Sequence, residues 1–433
     1  MNDYYKIKNI CKIKGGKRIP KGEVLQKEKN SHPYIRILDM YQGRIINISK
    51  DMLYAKESYI KQIKNYIVNE NDVILAIVGN TLGMVSIIGN TLDTAQLTEN
   101  CCKFVDIQED KINRLFLYYA LISPLNQNVI KKFRVGSSQP KLPLYNVGEL
   151  LVPKFTLAIQ SKISNLLSNI DSKIELNNKI NNELESMAKT IYDYWFLQFE
   201  FPNEEGKPYK SSGGKMIWNE ELKREIPEGW EVNKLEEYIS VIRGVNYKRD
   251  DVLSNKEINY IPLIKSNNIQ NGQILFDDII FVPQKLVNKN QILNKNSVLM
   301  TMSSGSKEHM GKTTIIYDSL DYTFGAFCSK IEIIEDMRCF LSIFFRSALF
   351  KTLIDNITSG TNINNISNEH LYNIKMTIPN KKVLQKFEDI LNPILDKQGI
   401  IQKENQELTS LRDFLLPLLM NGQVGFKEDK AEG

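Results

Sequence analysis

Two long stretches of the chain place apolar residues every three or four positions, with polar residues between them. The first covers about residues 156–196 and contains no glycine or proline. The second runs from about Lys381 to Met420 and contains Pro393 and Gly399. This spacing predicts two amphipathic helices of about 40 residues, each roughly 60 Å long. The proline and the glycine predict a kink or break near the first third of the second helix.

The stretches that precede the two helical patterns contain short apolar runs separated by glycine and asparagine, as in strands and turns. Two mixed domains of the α+β class, each followed by a long helix, are therefore expected. The runs predicted to form strands are Val73–Val78, Met84–Ile88, Cys102–Ile107, Ser297–Met302, Lys312–Tyr317 and Ser329–Ile334.

Each helical stretch carries one narrow apolar stripe, which must be buried against another surface. The stripe of the other helix is the economical partner, so an antiparallel coiled coil is predicted. Alternatively, each helix folds back on its own mixed domain, although a rod of roughly 60 Å overshoots a domain roughly 30 Å across. The residues predicted to pair the helices are Ile163, Leu166, Ile170, Ile174, Leu184, Met187, Ile390, Ile394, Ile401, Leu408 and Leu411. Asn177, Asn178, Asn181 and Asn182 are assigned to the polar side of the first helix.

The chain also repeats itself. The segments that begin at Tyr34 and Val73 return at Tyr260 and Val298, 226 and 225 residues later. An almost constant offset indicates a duplicated unit, and two copies are too few for a solenoid. The sequence therefore predicts a pseudo-twofold molecule with two similar surfaces, which suits a two-part ligand such as extended DNA.

Composition shifts place the boundaries between these parts, and a connector rich in proline, glycine and serine separates the halves. The predicted order is a first mixed domain at 1–155, a first helix at 156–196, a connector at 197–226, a second mixed domain at 227–380, a second helix at 381–424 and a polar tail at 425–433.

The two mixed domains differ in charge. Residues 1–155 hold 23 basic and 14 acidic residues, a net charge of +9, whereas residues 227–380 hold 16 and 17, a net charge of −1. A basic first domain suits contact with phosphates, although the excess could simply aid solubility. The second domain could bind DNA only through a local basic patch.

Several classes of protein do not fit the sequence. The sequence contains no apolar run of about 18 residues that would indicate a membrane span, and its first residues do not resemble a secretory signal. A cytoplasmic protein is therefore expected. The five cysteines form no CxxC pair and are expected to be reduced thiols rather than zinc ligands. Phosphate-binding, zinc-protease and serine-hydrolase motifs are missing, and the three histidines are scattered. A non-enzymatic protein without a cofactor or metal is predicted.

Two loops at matching positions of the repeat are candidates for contact with nucleic acid. The first, Lys131–Lys141, is basic and turns at Gly136, and its counterpart is Asn356–Asn365. Glycine allows backbone N–H groups to approach a phosphate, and a nearby Gln or Asn can pair with adenine. The alternative is that both loops are ordinary solvated turns.

Other candidate loops also repeat. Ser303–Glu308 corresponds to the shorter loop Gly79–Gly83, and two turns near Gly16 and Gly244 carry basic residues. The turn at Lys265 aligns with the one at Arg36, Leu38 and Asp39. An aromatic group at the end of the first helix (Tyr192, Tyr194, Trp195, Phe196 and Phe199) has acidic neighbours and is predicted to pack in the core rather than to stack on bases. The predicted DNA contacts are Lys17, Arg18, Lys131, Lys132, Arg134, Ser137, Ser138, Gln139, Lys141, Arg243, Tyr247, Lys248, Lys265, Asn267, Asn268, Ser303, Ser304, Ser306, Lys307, Thr358, Ser359, Thr361, Asn362 and Asn364.

In order, spacing and repetition, these features resemble the specificity subunit of type I restriction-modification systems. The resemblance rests on the duplication, the opening Ile226–Trp230 of the second copy, the Ser359-Gly360-Thr361 turn before Pro379, and Gln160 and Gln385 at the start of the helices. It covers essentially the whole chain. The first copy departs from the pattern because it opens at Tyr4-Tyr5 without the Pro-Glu-Gly-Trp sequence.

The resemblance implies two target recognition domains, each reading half of a split, asymmetric site in double-stranded DNA. The helices would fix the gap between the half-sites and dock two methyltransferase subunits, and restriction subunits would join the complex. Adenine methylation and ATP-dependent cleavage would belong to those partners. Two alternatives stay open: a coiled-coil adaptor with two protein-binding domains and no DNA, which the near-neutral second domain favours, and an enzyme with an unrecognised site.

Overall fold

The computed structural model of the protein describes residues 3–136, 139–270, 272–276, 278–359 and 365–426, apart from the side chains of Lys307 and Ser359. The chain divides into two compact units. Unit 1 comprises Met1–Leu176 and Asn405–Gly433, and unit 2 comprises Asn177–Glu404. Each unit therefore contains one mixed domain together with a segment of both long helices.

Unit 1 is built around a five-stranded sheet. In spatial order its strands are Lys12–Gly15, Cys101–Val105, Val73–Ala76, Val85–Ile88 and Ile45–Ile46, and all neighbours are antiparallel except the last pair. The remaining strands are Tyr4–Lys6, Pro33–Ile35, Leu53–Tyr54, Gln96–Leu97 and Leu151–Pro153. The short helices are Ile60–Ile63, Arg114–Ile122, Pro124–Phe133 and Leu144–Val147.

Unit 2 repeats this plan with a four-stranded antiparallel sheet. In spatial order its strands are Ile239–Arg243, Cys328–Ile333, Ser297–Thr301 and Thr313–Ile316. The other strands are Met216–Asn219, Arg224–Pro227, Glu231–Lys234, Tyr260–Ile264, Ile269–Gln270, Gln273–Ile274, Ile280–Pro283, Thr323–Phe324 and Lys375–Ile378. Its short helices are Arg338–Phe344, Ala348–Ser359 and Asn368–Tyr372.

The six apolar runs singled out in the sequence all form strands of these two sheets, which confirms that part of the prediction. The sheets agree strand for strand over four positions, so the duplication in the sequence is a duplication of topology. Buried side chains alternate between the two faces of these strands. Val73 and Leu75 share one buried cluster with the short helices of unit 1, and Val298 and Met300 do so in unit 2, whereas Ile74 and Leu299 belong to separate clusters on the other faces.

The first long helix runs from Leu157 to Tyr192 and continues as a single π-helical turn to Leu197. The second runs without interruption from Lys381 to Met420, so of the predicted kink or break at Pro393 and Gly399 the break is wrong. A proline removes one backbone donor, and the buried Leu391 and Leu395 on either side of it hold the helix against the core. Packing thus outweighs the local preference of the two residues.

The two helices pair in antiparallel fashion, as predicted. In unit 1, the Asp171 carboxylate accepts hydrogen bonds from Tyr119 Oη (2.6 Å) and Arg412 Nη1 (3.1 Å). Ile163 and Leu167 belong to the same buried cluster as the far end of the second helix, at Leu416, Leu419 and Met420. An early part of one helix therefore meets a late part of the other.

The pairing in unit 2 is partly polar. Asn177 Nδ2 donates to Glu404 Oε2 (2.8 Å), and Gln398 Nε2 donates to the carbonyl of Asn181 (3.3 Å). Asn177 and Asn181 are buried, which corrects their assignment to the solvent face. The side-chain amide of Asn177 is satisfied by Glu404, whereas Asn181 bonds to the facing helix through its backbone carbonyl and buries its side-chain oxygen without a hydrogen-bond partner.

The apolar stripe also differs from the one inferred from spacing. Ile163, Ile170 and Ile401 are buried, and a second group is half-buried, namely Leu166, Ile174, Leu184, Ile394 and Leu408. Met187, Ile390 and Leu411 are exposed, so their assignment to the pairing stripe is corrected. A helix of 36 residues drifts relative to a strict seven-residue repeat, and the buried face has moved to Ala188 and Tyr192 at this point.

The aromatic group that follows the first helix lies in the core of unit 2, as predicted. Phe196 packs edge-on against Phe340 and Phe387, with both centroid separations at 4.7 Å. Trp230, from the Pro-Glu-Gly-Trp opening, stacks on Phe201 at 5.1 Å. Tyr194 is the exposed member of the group. The connector is thereby anchored to the start of the second copy.

The long helices also bind the backbone at the start of a short helix in each mixed domain. In unit 1, buried Gln160 accepts a hydrogen bond from the Asn113 N–H (2.9 Å) and donates to the carbonyl of Lys111 (2.8 Å). In unit 2, Gln385 is exposed, and Glu388 accepts from the N–H groups of Cys339 and Phe340, both at 2.9 Å. In unit 2 this contact caps helix Arg338–Phe344, whereas helix Arg114–Ile122 of unit 1 is capped by its own Asn113, whose side chain accepts from the Leu115 and Phe116 N–H groups.

Gly399→Ala tests the close contact that keeps the second helix in place. A Cβ atom at this position would lie 2.7 Å from Tyr317 Cβ, so we expect the substitution to lower the free energy of unfolding by about 1–3 kcal/mol. Gly305→Ala, where the Cβ would meet nothing within 4 Å, is the control in urea unfolding of the full chain. A more stable Gly399→Ala variant, as helix propensity alone predicts, would contradict the packing argument.

Asp171→Ala tests the buried carboxylate between the helices of unit 1. It leaves the Tyr119 hydroxyl without its acceptor and Arg412 without its buried partner, so we expect a loss of about 2–3 kcal/mol in unfolding free energy. Asp413→Ala is a matched control because Asp413 pairs with the same Arg412 but its side chain is 60% exposed, against 7% for Asp171. That control should cost less than about 1 kcal/mol. An equal loss of unfolding free energy in the two variants would contradict a special role for the buried Asp171 carboxylate.

Candidate nucleic-acid interface

Two of the candidate loops of unit 1 are joined by backbone hydrogen bonds. Val135 and Lys141 exchange a pair of N–H···O bonds, both at 2.8 Å, which hold these two residues of the basic loop together. The Gly79 N–H then donates to the carbonyl of Pro140 (2.8 Å), and the Leu142 N–H donates to Ile77 (2.9 Å). The loop after strand Val73–Ala76 and the basic loop therefore lie side by side.

A third segment reaches the same end of the sheet through a close backbone contact. The N–H groups of Gly16 and Lys17 donate to the carbonyls of Cys101 (2.9 Å) and Leu97 (2.8 Å). A Cβ atom on Gly16 would lie only 2.0 Å from the carbonyl oxygen of Thr98, so only glycine permits this approach. We call residues 15–18, 77–84, 98–100, 131–136 and 139–141 the loop end of unit 1.

Unit 2 builds the corresponding loop end from residues 243–248, 302–308, 325–327 and Asn365. The N–H groups of Gly244 and Val245 donate to Cys328 (3.1 Å) and Phe324 (2.8 Å), and a Cβ atom on Gly244 would lie 2.2 Å from the carbonyl oxygen of Gly325. Ser303 and Asn365 form an isolated antiparallel bridge, as Val78 and Lys141 do in unit 1. The repeat alignment proposed from the sequence thus holds at this end of both sheets.

Exposed cations surround the loop end of unit 1. Gln139 is exposed beside them. Among the described residues, Arg18 alone of this group lies within ion-pair distance of a carboxylate, 3.6 Å from Glu99, and its side chain is 82% exposed. Unpaired surface cations are suited to phosphate contact because little competes with the phosphate. The exposed cations are Lys17, Arg18, Lys131, Lys132, Arg134 and Lys141.

The loop end of unit 2 is less basic and more varied. Arg243 and Lys248 are exposed, and Tyr247 is half-buried, with burial raising the pKa of its hydroxyl. Ser303 and Ser304 are half-buried and Ser306 is exposed. The Ser304 hydroxyl accepts a hydrogen bond from the Ser306 N–H (3.2 Å), which shapes the loop. This end therefore offers hydroxyl groups and a phenol next to two cations.

The turn at Lys265 borders the same end because the carbonyl of Ile264 accepts a hydrogen bond from the Gly325 N–H (2.9 Å). Lys265 is half-buried and Asn267 is exposed. Asn268 is buried, accepts from the Lys265 N–H and donates to the carbonyl of Leu275, both at 2.9 Å. It holds the turn as Asp39 does in unit 1, so its assignment as a DNA contact is corrected.

Thr358 is also removed from the predicted contacts. It is buried in helix Ala348–Ser359, and its hydroxyl donates to the carbonyl of Ile354 (3.0 Å). Seven other predicted contacts cannot be placed because they lie outside the described residues: Ser137, Ser138, Thr361, Asn362 and Asn364, with the side chains of Lys307 and Ser359.

The unit 2 loop end also exposes a large aromatic residue that was not among the predicted contacts. Phe327 is 65% exposed in the turn between strands Thr323–Phe324 and Cys328–Ile333. In the sequence, Phe327 looks like the first residue of an apolar strand. Only its position directly after the turn at Gly325 could have indicated that its side chain is exposed. Its counterpart in the first copy is Asn100, which is not aromatic, so comparison of the two copies does not single out Phe327.

The structure offers little for metal or thiol chemistry. No group of three or more His, Cys, Asp or Glu side chains is arranged to hold a metal ion within the part of the chain that the structure describes. All five cysteines are buried and unpaired with one another. Burial raises the pKa of the Cys11 and Cys328 thiols to about 12, so they stay protonated at neutral pH.

No described helix is both long enough and apolar enough to cross a lipid bilayer.

Comparison with known proteins identifies the repeated unit. The profile of the type I restriction modification DNA specificity domain matches residues 2–186 and again residues 227–410. The chain is 31% identical over 204 residues to the EcoKI specificity subunit of Escherichia coli strain K12, in a match that covers 46% of this chain and 44% of that relative. The matched stretch thus spans less than half of that protein.

Two further comparisons extend over almost the whole chain. The MjaIX specificity subunit of Methanocaldococcus jannaschii is 26% identical over 432 residues, covering 98% of this chain and 94% of the relative. The crystal structure of a type I restriction-modification S subunit from M. genitalium has the same fold, with a TM-score of 0.54, 17% identity and coverage of 97% and 96%. The duplicated α+β architecture with paired helices is confirmed by this likeness, and the chain belongs to the family of type I restriction modification DNA specificity domains, of which it carries two copies.

Proposed function

We propose that each unit reads one half of a split, asymmetric DNA sequence through its loop end. The observation that carries this proposal is that four segments are brought together in the same way twice, by the same backbone contacts at Gly16 and Gly244. Within this arrangement the recognition domains are residues 1–155 and 227–380, and double-stranded DNA is the ligand. The cations would hold phosphates, while the amide and hydroxyl side chains would read base edges.

We further propose that the chain acts as a specificity subunit without catalysis of its own, in a complex with two methyltransferase subunits and with restriction subunits. The specificity subunits among its relatives support this role. The long helices are the proposed docking surface, because several of their large apolar side chains are exposed. Those side chains are Leu176, Ile180, Met187, Ile400, Leu411 and Phe414.

The decisive test is base-resolution mapping of adenine methylation in cells that make this chain together with its methyltransferase subunit. A strain without this chain is the control. We expect a split, asymmetric methylated motif that disappears in the control strain and that gives both half-sites and the gap. Identical methylation in the two strains would contradict the proposal and favour the adaptor hypothesis.

Two substitutions in the basic loop should separate phosphate contact from base reading. Arg134→Ala removes an exposed cation, so we expect it to weaken binding to all DNA sequences and to reduce the slope of log K against log salt by about 0.9. Gln139→Ala should instead relax the base requirement at one position of one half-site. Affinities would be measured by fluorescence anisotropy from 50 to 200 mM salt, the range over which such contacts are strongly screened.

Lys111→Ala is the matched control for these variants. Lys111 is an exposed cation without a carboxylate partner among the described residues, and it follows strand Cys101–Val105 at the opposite end of the same sheet. We expect it to leave the salt slope unchanged. An equal, sequence-independent loss for Arg134→Ala and Gln139→Ala would contradict direct reading by Gln139.

A further inference from the structure

Phe327 combines an exposed aromatic side chain with a firmly held backbone. Its carbonyl accepts hydrogen bonds from the N–H groups of Met302 (2.8 Å) and Ser303 (3.2 Å). The adjacent Ala326 N–H donates to Val245 (3.0 Å), and the Cys328 N–H donates to Gly325 (2.8 Å). Three segments of the unit 2 loop end thus fix the position of this residue, yet its side chain stays 65% exposed.

An exposed phenyl group at this position is unfavourable in water unless something covers it. Removing a phenylalanine side chain from water is favourable, in proportion to the apolar area that is buried. Because the backbone is already fixed, covering the ring would cost little conformational entropy, as in other preorganised binding sites. Polar groups lie next to the same turn: a Cβ atom on Gly325 would lie 3.4 Å from the Tyr247 ring, Ser303 bonds to the Phe327 carbonyl, and Arg243 pairs with Ser329. Such groups are suited to contact with DNA.

The first copy has a different residue at the same place. Asn100 lies one residue before strand Cys101–Val105, as Phe327 lies one residue before Cys328–Ile333. The carbonyl of Asn100 accepts from the Ile77 N–H (2.8 Å), as that of Phe327 accepts from Met302. The two loop ends therefore present an amide and a phenyl group from equivalent backbone positions.

We propose that Phe327 packs against the C5-methyl group of a thymine in the major groove of the half-site read by unit 2. This inference rests on the proposed function, and it names a specificity-determining residue for it. Thymine is the one base that displays a methyl group in the major groove, and an apolar side chain recognises it without needing a hydrogen bond. Insertion between base pairs would instead require the energetically unfavourable unstacking of the bases. At the equivalent position of unit 1, the Asn100 amide would suit a hydrogen-bonding base edge.

The test combines protein variants with removal of single methyl groups from the DNA. The probes are duplexes that carry the mapped methylation motif, with each thymine of the unit 2 half-site replaced in turn by deoxyuridine. For the native chain we expect one replacement to weaken binding about four-fold, the effect of losing one methyl-sized apolar contact. For Phe327→Ala we expect the same replacement to have no effect, whereas Phe327→Leu should keep most of the discrimination.

Controls separate this inference from the proposed function. Asn100→Ala should leave the deoxyuridine effect in the unit 2 half-site unchanged. An equal effect in the native chain and in Phe327→Ala would overturn the methyl contact, as would a half-site without an A·T pair. A rise in 2-aminopurine fluorescence that depends on Phe327 would indicate insertion between bases and would also overturn it. If the native chain shows no preference for the mapped motif, the proposed function fails as well.

Discussion

Close backbone approach at two glycines is the constraint on which the candidate interface depends. At Gly16 and Gly244 the chain passes so near the carbonyl groups of Thr98 and Gly325 that no side chain could be accommodated. The hydrogen bonds made there fix the first turn of each unit against the turn that precedes a central strand. A loop end held by backbone bonds can change its side chains without changing its shape. This explains how one scaffold can present different chemistry in its two copies.

The two copies use this freedom differently. Unit 1 surrounds its loop end with exposed cations such as Lys17 and Arg134, in a region whose net charge is +9. Unit 2 is nearly neutral and offers hydroxyl groups, the Tyr247 phenol and the exposed ring of Phe327. Electrostatic attraction without sequence preference would therefore fall mainly to the first unit. The second would contribute more through groups that distinguish one base pair from another.

The long helices combine apolar packing with buried polar contacts. Hydrogen bonds from Tyr119 and Arg412 to Asp171, and from Asn177 to Glu404, satisfy groups that would otherwise be costly to bury. Such contacts add less stability than apolar residues of equal volume, but they penalise any sliding of one helix along the other. A fixed register would suit the spacer role that the family resemblance implies for these helices.

Hydrophobic periodicity and repetition in the sequence determined the strands, the two long helices, their antiparallel pairing and the duplication, because these depend on the alternation of apolar residues along the chain. Only the tertiary structure decided which polar groups are available. In the sequence, Asn268 and Thr358 look like exposed residues able to contact DNA, but their side chains are buried and form local hydrogen bonds. Asn177 is instead buried against the facing helix. Likewise, Gly399 is unfavourable in a helix by local preference, but its lack of a side chain allows the helix to pack closely against Tyr317. Spacing along a chain specifies a face only approximately, and the partner of a polar group becomes known only when distant segments meet.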